Sequence, residues 1–458
     1  MQHKESEKQQ ERFTLMTEAP IRKLVLKMAV PSIISMVVTA AYNIADAAFV
    51  GHLSTEATAG VGISFAYMTF VQAFGFFCGH GSGNFIARAL GARHPEHAGK
   101  MAATGFCTSF LFGLAGGIVG LCFLPQLTQL LGTTPDISSY AQSYLTYILI
   151  ATPFMMSCLT MNNQLRLQGS AHFAMIGLAS GAILNILLDP LFIYVFGWGV
   201  SGASAATLCS QLFSWILLFQ GTKRDGNVHI RLRNFTPNWF YFKEITRGGL
   251  PSLCRQSLIC LSTICLNRAA SIYAEPGMQA STIAAFAVVS RTMMFGFSVI
   301  LGTGQGFQPV CGFNYGAGRF GRVRESFLFT FRVCAGIMVV MAVLGWVFAP
   351  QLIAFFRDED PELIAIGTRV LRWQCAAFPL ISLTTVTNML FQTTGQMVTA
   401  TLLSMCRQGL FFLPILWIAP RLFGLTGLEA TQALADILTF LFTLPFSISV
   451  SRKLKRQR

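Results

Sequence analysis

Long apolar runs recur from one end of the chain to the other and constrain its fold more than any other feature. Twelve of them reach the ~20 residues that an α-helix needs to cross the hydrocarbon core of a bilayer. They lie at residues 24–50, 58–87, 101–124, 140–165, 173–196, 201–220, 248–272, 281–310, 327–349, 363–392, 398–420 and 428–450. Only 11% of the 458 residues are charged, whereas soluble domains carry about 25%. The sequence therefore predicts an all-α membrane protein with twelve transmembrane helices.

The basic residues are divided unequally between the two sides of this arrangement. Twelve spans bring both chain ends to one side, and the segments on that side hold twenty-five Lys and Arg residues, with Arg166 assigned to the loop after the fourth span. The opposite side holds two, Arg357 and Arg421. Because cytoplasmic loops carry such an excess, we predict a multi-pass protein of the bacterial inner membrane with both termini cytoplasmic. The net charge of +14 then follows from topology, which argues against nucleic-acid binding.

Other sequence features argue against processing, disulfides and metal binding. The polar N-terminal segment has no apolar core before a small-residue cleavage site, so we predict no signal peptide. The twelve cysteines are scattered without a CxxC pair, which predicts neither a disulfide framework nor a metal site. His94 and His97 lie three residues apart in a loop that offers no further ligands.

The second half of the chain repeats the first. KMAVPSIIS returns as RGGLPSLCR, GHGSG as GTGQG, NNQLRLQGS as NMLFQTTGQ, and GWGVSGASAA as LFGLTGLEAT, at offsets of 220 to 226 residues. We therefore divide the chain into an N-terminal segment (1–23), a six-helix N-terminal lobe (24–220), a connector (221–247), a six-helix C-terminal lobe (248–450) and a basic tail (451–458). Units with an even number of spans insert in the same orientation. They are then related by an axis along the membrane normal, with a cavity between them, as in many transporters.

Three acidic residues, Asp46, Asp189 and Asp436, lie well inside the apolar runs. An ionised carboxylate at bilayer depth costs at least about 2.5–3.5 kcal/mol, so such residues usually face a cavity and carry function. The spans of the N-terminal lobe offer Asp46 and Asp189 no basic partner, which predicts coupling of transport to H⁺ or Na⁺. For Asp436 we predict an ion pair with Arg407 of the neighbouring span. A role in binding substrate or a proton is the alternative.

Five motifs carry a resemblance to a known family. They are YNIAD (Tyr42 to Asp46), ARALGAR (Ala87 to Arg93), NNQLRLQG (Asn162 to Gly169), NILLDP (Asn185 to Pro190) and GFQPVCGFNYGAGR (Gly306 to Arg319). Together they resemble the multidrug and toxic compound extrusion (MATE) family over nearly the whole chain. The resemblance implies two six-helix lobes in a V around a central cavity, and export of organic cations by antiport. We interpret the last motif structurally, because Pro309 ends or kinks a helix, its glycines allow close turns and Arg319 faces the cytoplasm.

The resemblance also implies where the coupling cation binds. The DinF-like branch of the family uses the N-terminal lobe, and the matching motifs carry that site onto Asp46, Asn185, Asp189, Thr207 and Tyr144. Asn185 and Asp189 are four residues apart and so share one helix face. Other members use acids in the seventh and tenth spans, whereas here those spans have no carboxylate and carry four arginines: Arg255, Arg268, Arg369 and Arg372. That difference favours the N-terminal lobe, and we expect no cofactor other than bound Na⁺ or H⁺.

Aromatic and Met side chains are candidates for the wall of the substrate cavity, because they adapt to flat cations through cation–π and thioether contacts. The candidates are Met68, Phe154, Met155, Met156, Met161, Met293, Met294 and Phe295. We expect small organic cations and the lipid bilayer as partners, and a monomer.

The alternatives to a drug transporter are a lipid flippase, an intramembrane protease, and a channel or signalling receptor. A flippase for a lipid-linked precursor would line its cavity with several cationic side chains for pyrophosphate, and the N-terminal spans lack them. An intramembrane aspartyl protease could use Asp46 and Asp189, but neither lies in the GxGD context that such an enzyme needs. We therefore predict a secondary transporter, not an enzyme.

Overall fold

The computed structural model describes residues 2–51, 53–274, 278–355 and 360–457, so Arg357 and Arg458 lie outside the described residues. Fifteen α-helices account for most of these ranges. They are α1 (Gln2–Glu18), α2 (Ile21–Gly51), α3 (Thr55–Gly91), α4 (Pro95–Cys122), α5 (Leu124–Leu131), α6 (Pro135–Leu167), α7 (Ala171–Pro190), α8 (Gly199–Thr222), α9 (Trp239–Tyr273), α10 (Gln279–Gly316), α11 (Phe320–Val347), α12 (Ala349–Ala354), α13 (Pro361–Thr393), α14 (Met397–Met405) and α15 (Phe412–Arg456). Wide π-helical turns at Leu191–Val195 and Cys406–Leu410 follow α7 and α14.

The described helices cross a membrane twelve times. Eleven helical segments are long and apolar enough to span, and the last of them, Met397–Arg456, has 60 residues. At 1.5 Å per residue it would measure about 90 Å, roughly three times the thickness of the hydrocarbon core. Its backbone is broken at Gly424, where φ is 55° and ψ is −137°. This segment is therefore two crossings, and the predicted all-α fold with twelve spans is confirmed.

Each half of the chain packs around its own central helix. In α6 and in α13, 72% of the residues in the most apolar stretch are buried, against at most half in the other spans. These two helices are the fourth span of the first half and the fourth span of the second. Because the same position is central in both halves, the two bundles have equivalent cores.

The repeat seen in the sequence is also a repeat of local structure. Asn162 Nδ2 donates to the carbonyl oxygen of Ala174 at 2.8 Å, and Asn388 Nδ2 donates to that of Ala400 at 2.7 Å. Each bond ties the end of one span to the start of the next. The turn between them uses a glycine with positive φ in both halves, 85° at Gly169 and 79° at Gly395. Glycine suits this left-handed position because it has no Cβ.

Close glycine contacts join the two lobes near the side that carries both chain ends, which we call the termini face. A Cβ at Gly91 in α3 would overlap the carbonyl oxygen of Phe313 in α10, and a Cβ at Gly316 in α10 would overlap that of Arg88 in α3. An offset of 225 residues relates both pairs, so the contact obeys the pseudo-two-fold axis. The glycines of the GFQPVCGFNYGAGR motif thus serve mainly helix packing. Pro309 lies within α10 and does not end it.

The same kind of contact sets the remaining interface between the lobes. Gly81 in α3 lies against the backbone of Ile245 in α9, and Gly306 in α10 lies against the backbone of Ala29 in α2. The contacts use the parts of α3 and α10 near their C-terminal ends and the parts of α2 and α9 near their N-terminal ends. All four of these parts lie toward the termini face, so the lobes meet there.

Arg166 is a correction to the predicted loops. The sequence reading placed it in the loop after the fourth span, whereas it belongs to α6 and is only 2% exposed. Its Nη1 donates to the carbonyl oxygen of Gln305 at 2.8 Å and to Gln308 Oε1 at 3.0 Å, both on α10 of the other lobe. A helix of 33 residues is longer than the bilayer requires, so its polar end packs inside the protein and not in a loop.

A second arginine joins the lobes in the same region. Arg88 Nη1 donates to the carbonyl oxygen of Thr393 at 2.7 Å, and its Nη2 lies 2.9 Å from Glu244 Oε2. Arg88 therefore connects α3 with α9 and α13. Charged hydrogen bonds of this kind add to the glycine contacts in holding the termini face closed.

Candidate functional site

Three predicted site residues meet on the facing sides of α7 and α8. Asn185 Nδ2 donates to Asp189 Oδ1 at 3.3 Å and to Thr207 Oγ1 at 3.4 Å. Asp189, Asn185 and Thr207 are 0%, 2% and 1% exposed. The four-residue spacing predicted that Asn185 and Asp189 share a face, and the structure confirms it.

The backbone around Asp189 is irregular, which brings α7 and α8 together. Pro190 has no N–H to donate, and the residues after it, Leu191–Val195, wind as a π-helical turn. Gly202 at the start of α8 packs on this turn, because a Cβ there would lie 2.6 Å from the carbonyl oxygen of Phe192. Such π turns are frequent at functional sites.

Asp46 reaches the same region from α2. Asp46 and Asp189 are close enough to interact electrostatically, and Tyr42 and Tyr144 lie in the field of both carboxyl groups. The hydroxyl of Tyr144 donates to the sulfur of Met68 at 3.6 Å. Tyr144 is therefore near the acids but is bonded elsewhere in this conformation, and Tyr42 is a neighbour that the sequence analysis did not include in the site.

Three buried oxygen atoms of this cluster have no hydrogen-bond donor within the described residues. They are Asp46 Oδ1, Asp189 Oδ2 and Asn185 Oδ1. Leaving a buried acceptor unsatisfied costs about 1–3 kcal/mol, and in the described ranges neither acid forms an ion pair. Carboxylate, amide and hydroxyl oxygens are hard ligands of the kind that alkali and alkaline-earth cations prefer. A proton on either carboxyl group would satisfy that group, and Na⁺ or water could satisfy all three oxygens.

A small cavity of about 70 Å³ lies beside the cluster, inside the N-terminal lobe. Its wall includes Tyr42, Met68, Gln72, Met155 and Asn185. One water needs roughly 10–15 Å³ measured in this way. The cavity therefore has room for several waters or for a partly hydrated cation next to Asn185.

The predicted substrate-wall residues have different surroundings. Met68 and Met155 line the small cavity, whereas Phe154 packs edge-on against Trp215 and Phe110. The others do not line that cavity: Met156, Met161 and Met293 are buried in the packing, and Met294 and Phe295 are half-buried. Their assignment to a substrate wall stays a prediction.

Asp436 in the C-terminal lobe forms the ion pair that the sequence analysis favoured. Arg407 Nε donates to Asp436 Oδ1 at 2.7 Å, and Gln432 Nε2 donates to the same oxygen at 3.1 Å. Arg407 Nη2 also donates to Asp436 Oδ2 at 3.5 Å, so both oxygens of Asp436 have donors, unlike those of Asp46 and Asp189. This pairing favours the structural role of Asp436 over a role in binding substrate or a proton.

A second buried acid of the C-terminal lobe was missed. Glu429 in α15 is 2% exposed and accepts from Nε and Nη2 of Arg369 in α13, at 3.0 and 2.7 Å. The sequence reading passed over it because it stands near the start of the twelfth predicted span. Arg369 could have revealed it, since an arginine inside a span needs a carboxylate nearby.

Two arginines of the C-terminal lobe lie on the side that faces the N-terminal lobe. Gly302 in α10 lies against the backbone of Ile33 in α2 of the other lobe. Arg291 is exposed and stands eleven residues before Gly302, about three full turns, so it shares that face of α10. Arg255 in α9 follows Ser252, whose Oγ lies 3.0 Å from His80 Nδ1 in α3, and it interacts electrostatically with His80. Neither arginine has an ion pair in the part of the chain that the structure describes, so this lobe presents a basic wall.

Two equivalent six-helix bundles that meet at one face, with a buried acid cluster inside one bundle, define a membrane transporter built from two parallel repeats. A family model, MatE, matches the chain twice, over residues 31–191 and 259–418. The chain therefore belongs to the MATE family, whose members are transporters, not enzymes.

Individual relatives agree with the family match. The chain is 23% identical over 421 residues to "Multidrug export protein MepA" of Staphylococcus haemolyticus (strain JCSC1435), covering 92% of this chain and 91% of the relative. It is 24% identical over 425 residues to the MepA of Staphylococcus aureus (strain N315), covering 92% of each. These relatives span nearly the same length as the chain.

Solved structures share the fold. "Crystal structure of MATE in complex with MaL6" has a TM-score of 0.91 at 26% identity, covering 97% of this chain and 99% of that one. "Outward-facing conformation of a multidrug resistance MATE family transporter of the MOP superfamily" has a TM-score of 0.90 at 27% identity, covering 97% and 98%. A third solved structure is "Reverse polarity of binding pocket suggests different function of a MOP superfamily transporter from Pyrococcus furiosus Vc1 (DSM3638)". It has a TM-score of 0.90 at 27% identity, covering 97% of this chain and 98% of that one. The V-shaped two-lobe fold is confirmed.

Proposed function

We propose that this MATE transporter exports organic cations in exchange for H⁺ or Na⁺, with the coupling cation bound by the N-terminal lobe. The observation that carries the proposal is the set of unsatisfied oxygens on Asp46, Asp189 and Asn185. Because these oxygens are buried and form no ion pair in the described residues, the cluster can bind one positive charge. The relatives described as multidrug export proteins supply the direction of transport and the kind of cargo.

The mechanism follows from where the lobes touch. They meet at the termini face, so the cleft between them opens to the opposite side. The excess of basic residues at the termini face makes that face cytoplasmic, and the conformation is then outward-facing. A cation entering from outside binds Asp46 and Asp189 and lowers the affinity of the transporter for its substrate. Because coupling is reciprocal, substrate must weaken the hold on the cation by the same factor. We propose a monomer in the bacterial inner membrane, with both termini cytoplasmic.

The test is transport by purified protein in proteoliposomes. Efflux of a fluorescent organic cation is followed under an imposed pH gradient and, separately, an imposed Na⁺ gradient. We expect at least one gradient to drive transport in the wild type, and Asp46→Asn and Asp189→Asn to lose about ten-fold or more. Asp136→Asn is the matched control, because Asp136 is exposed in the first turn of α6. Transport by Asp46→Asn at the wild-type rate would refute the assignment of this site.

A second candidate cargo is favoured by one specific observation. The basic wall formed by Arg255 and Arg291 suits an anionic amphiphile, such as a lipid-linked precursor, better than a cation. The structurally similar transporter from Pyrococcus furiosus, whose description names a binding pocket of reversed polarity and a different function, supports this alternative. The same proteoliposomes distinguish the two, with an anionic and a cationic dye of similar size. Transport of the anionic dye alone would establish the alternative.

A further inference from the structure

A large basic cleft opens on the termini face, between the start of α2 and the first half of α11. It measures about 810 Å³. We call it the arginine cleft, defined by its five arginines: Arg22, Arg319, Arg322, Arg324 and Arg332. Glu325 is the one acid in its described wall. The cleft bridges the lobes, because α2 belongs to the N-terminal lobe and α11 to the C-terminal lobe. It is separate from the coupling site.

The acids described near the arginine cleft, Glu18 and Glu325, neutralise only part of the positive charge of its five arginines. Arg322 donates to the carbonyl oxygen of Ala19 at 2.6 Å, and Arg324 donates to Ser451 Oγ at 3.1 Å. These partners are neutral, so they fix the side chains and leave their charge available. Arg22 and Arg332 have neither a hydrogen bond nor an ion pair within the described residues. Within the described residues, Arg319 pairs with Glu18 at 3.3 Å in a largely exposed contact, and Arg322 interacts electrostatically with Glu325 and Glu18.

The shape of the cleft favours a lipid over a free anion. Arg332 stands twelve residues after the start of α11, about 18 Å along the helix axis. The cleft therefore runs from the aqueous end of α11 into its apolar part. Leu328, Phe329 and Val333 complete this wall. A small anion from the solvent would contact only the arginines at the polar end of the cleft. A phospholipid would place its phosphate against the arginines and the start of its acyl chains against the apolar residues.

We propose that the arginine cleft binds the phosphate head group of an anionic phospholipid. Guanidinium groups match phosphate because their planar fork donates two parallel hydrogen bonds. Basic pockets between transmembrane helices at the cytoplasmic side suit the head groups of anionic lipids. A lipid held there contacts α2 and α11 together, so it bridges the two lobes at the face where they are closed.

The experiment measures lipid binding to the full-length protein. The purified transporter in neutral detergent is titrated with fluorescent phosphatidylglycerol or cardiolipin, and with phosphatidylcholine as the zwitterionic reference. We expect preference for the anionic lipids, and about ten-fold weaker binding by the double variant Arg22→Gln/Arg332→Gln. Arg231→Gln/Arg233→Gln is the matched control, because it removes two exposed basic residues elsewhere in the chain. The control should bind as the wild type does.

Two further arms separate the sources of the phosphate and guard against misfolding. Inorganic phosphate and glycerol phosphate are offered as competitors, and we expect millimolar concentrations of either to leave lipid bound. Displacement at lower concentration would mean a site for free phosphate and would overturn the proposal. Equal losses in the two double variants would also overturn it, because general surface charge would then explain binding. The single variant Arg332→Gln, which alters one unpaired side chain, should lose affinity even if the double variant is unstable.

Discussion

Four acidic residues of the predicted spans, Asp46, Asp189, Glu429 and Asp436, fall into two groups that differ in their partners. Asp436 and Glu429 in the C-terminal lobe are each held by an arginine, at 2.7 Å in both pairs. Asp46 and Asp189 have no such partner in the described residues and retain oxygens without donors. Removing one member of a buried ion pair leaves an uncompensated charge, which costs about 3–5 kcal/mol. Removing the charge of an unpaired acid relieves a desolvation cost instead.

The two groups should therefore respond oppositely to neutralisation. We predict that Asp436→Asn lowers the thermal unfolding midpoint in detergent, because Arg407 loses its counter-charge. Asp46→Asn should leave the midpoint unchanged or raise it, while abolishing transport. A melting curve for each purified variant measures this, with Asp136→Asn as the reference. A loss of stability in Asp46→Asn as large as that in Asp436→Asn would mean that Asp46 is structural.

Helix α1 was predicted only as a polar segment, and it is an element with its own contacts. Its Met16 is completely buried. Arg12 Nη1 donates to Asn227 Oδ1 in the connector at 2.6 Å, and burial lowers the pKa of Arg12 to about 10, so it stays charged at neutral pH. At the other end, Asn314 Nδ2 of α10 donates to the carbonyl oxygen of Met16 at 3.0 Å. The helix therefore ties the connector to the C-terminal lobe across the termini face.

This arrangement predicts that α1 helps to keep the termini face closed. Arg12→Ala should raise hydrogen exchange at the lobe interface, in the segment of α9 around Ile245, because a partly buried charged hydrogen bond is lost. Lys8→Ala is the matched control on the same helix, since Lys8 pairs with Asp225 at the surface, where both are about half exposed. Such surface pairs contribute little. Hydrogen exchange read by mass spectrometry measures both variants, and equal effects would contradict a clamping role for Arg12.

At the scale of the whole molecule, the sequence predicted what depends on patterns along the chain. Hydropathy predicted the twelve spans, and the paired motifs predicted the repeat. Asn162 and Asn388 confirm the repeat, because each donates the equivalent hydrogen bond to the start of the next helix. The prediction that Asp46 and Asp189 share one site rested on their shared lack of basic partners and on the resemblance to the MATE family. What the sequence could not supply depends on which helix faces meet. Arg166 and Glu429 were misplaced or missed because helices longer than the bilayer bury their polar ends against distant segments.

The central claim is that Asp46 and Asp189 form one pocket that releases its cation when substrate binds. The most direct measurement is the count of H⁺ and Na⁺ released when a transported substrate is added to purified protein, with a pH indicator in weak buffer and a sodium electrode. Because the account places one cation in this pocket and lets substrate weaken its binding, it predicts release of about one cation per bound substrate in the wild type and in Asp136→Asn. It predicts no release from Asp46→Asn or Asp189→Asn. Release of the same cation from either variant, at the wild-type ratio, would contradict the account.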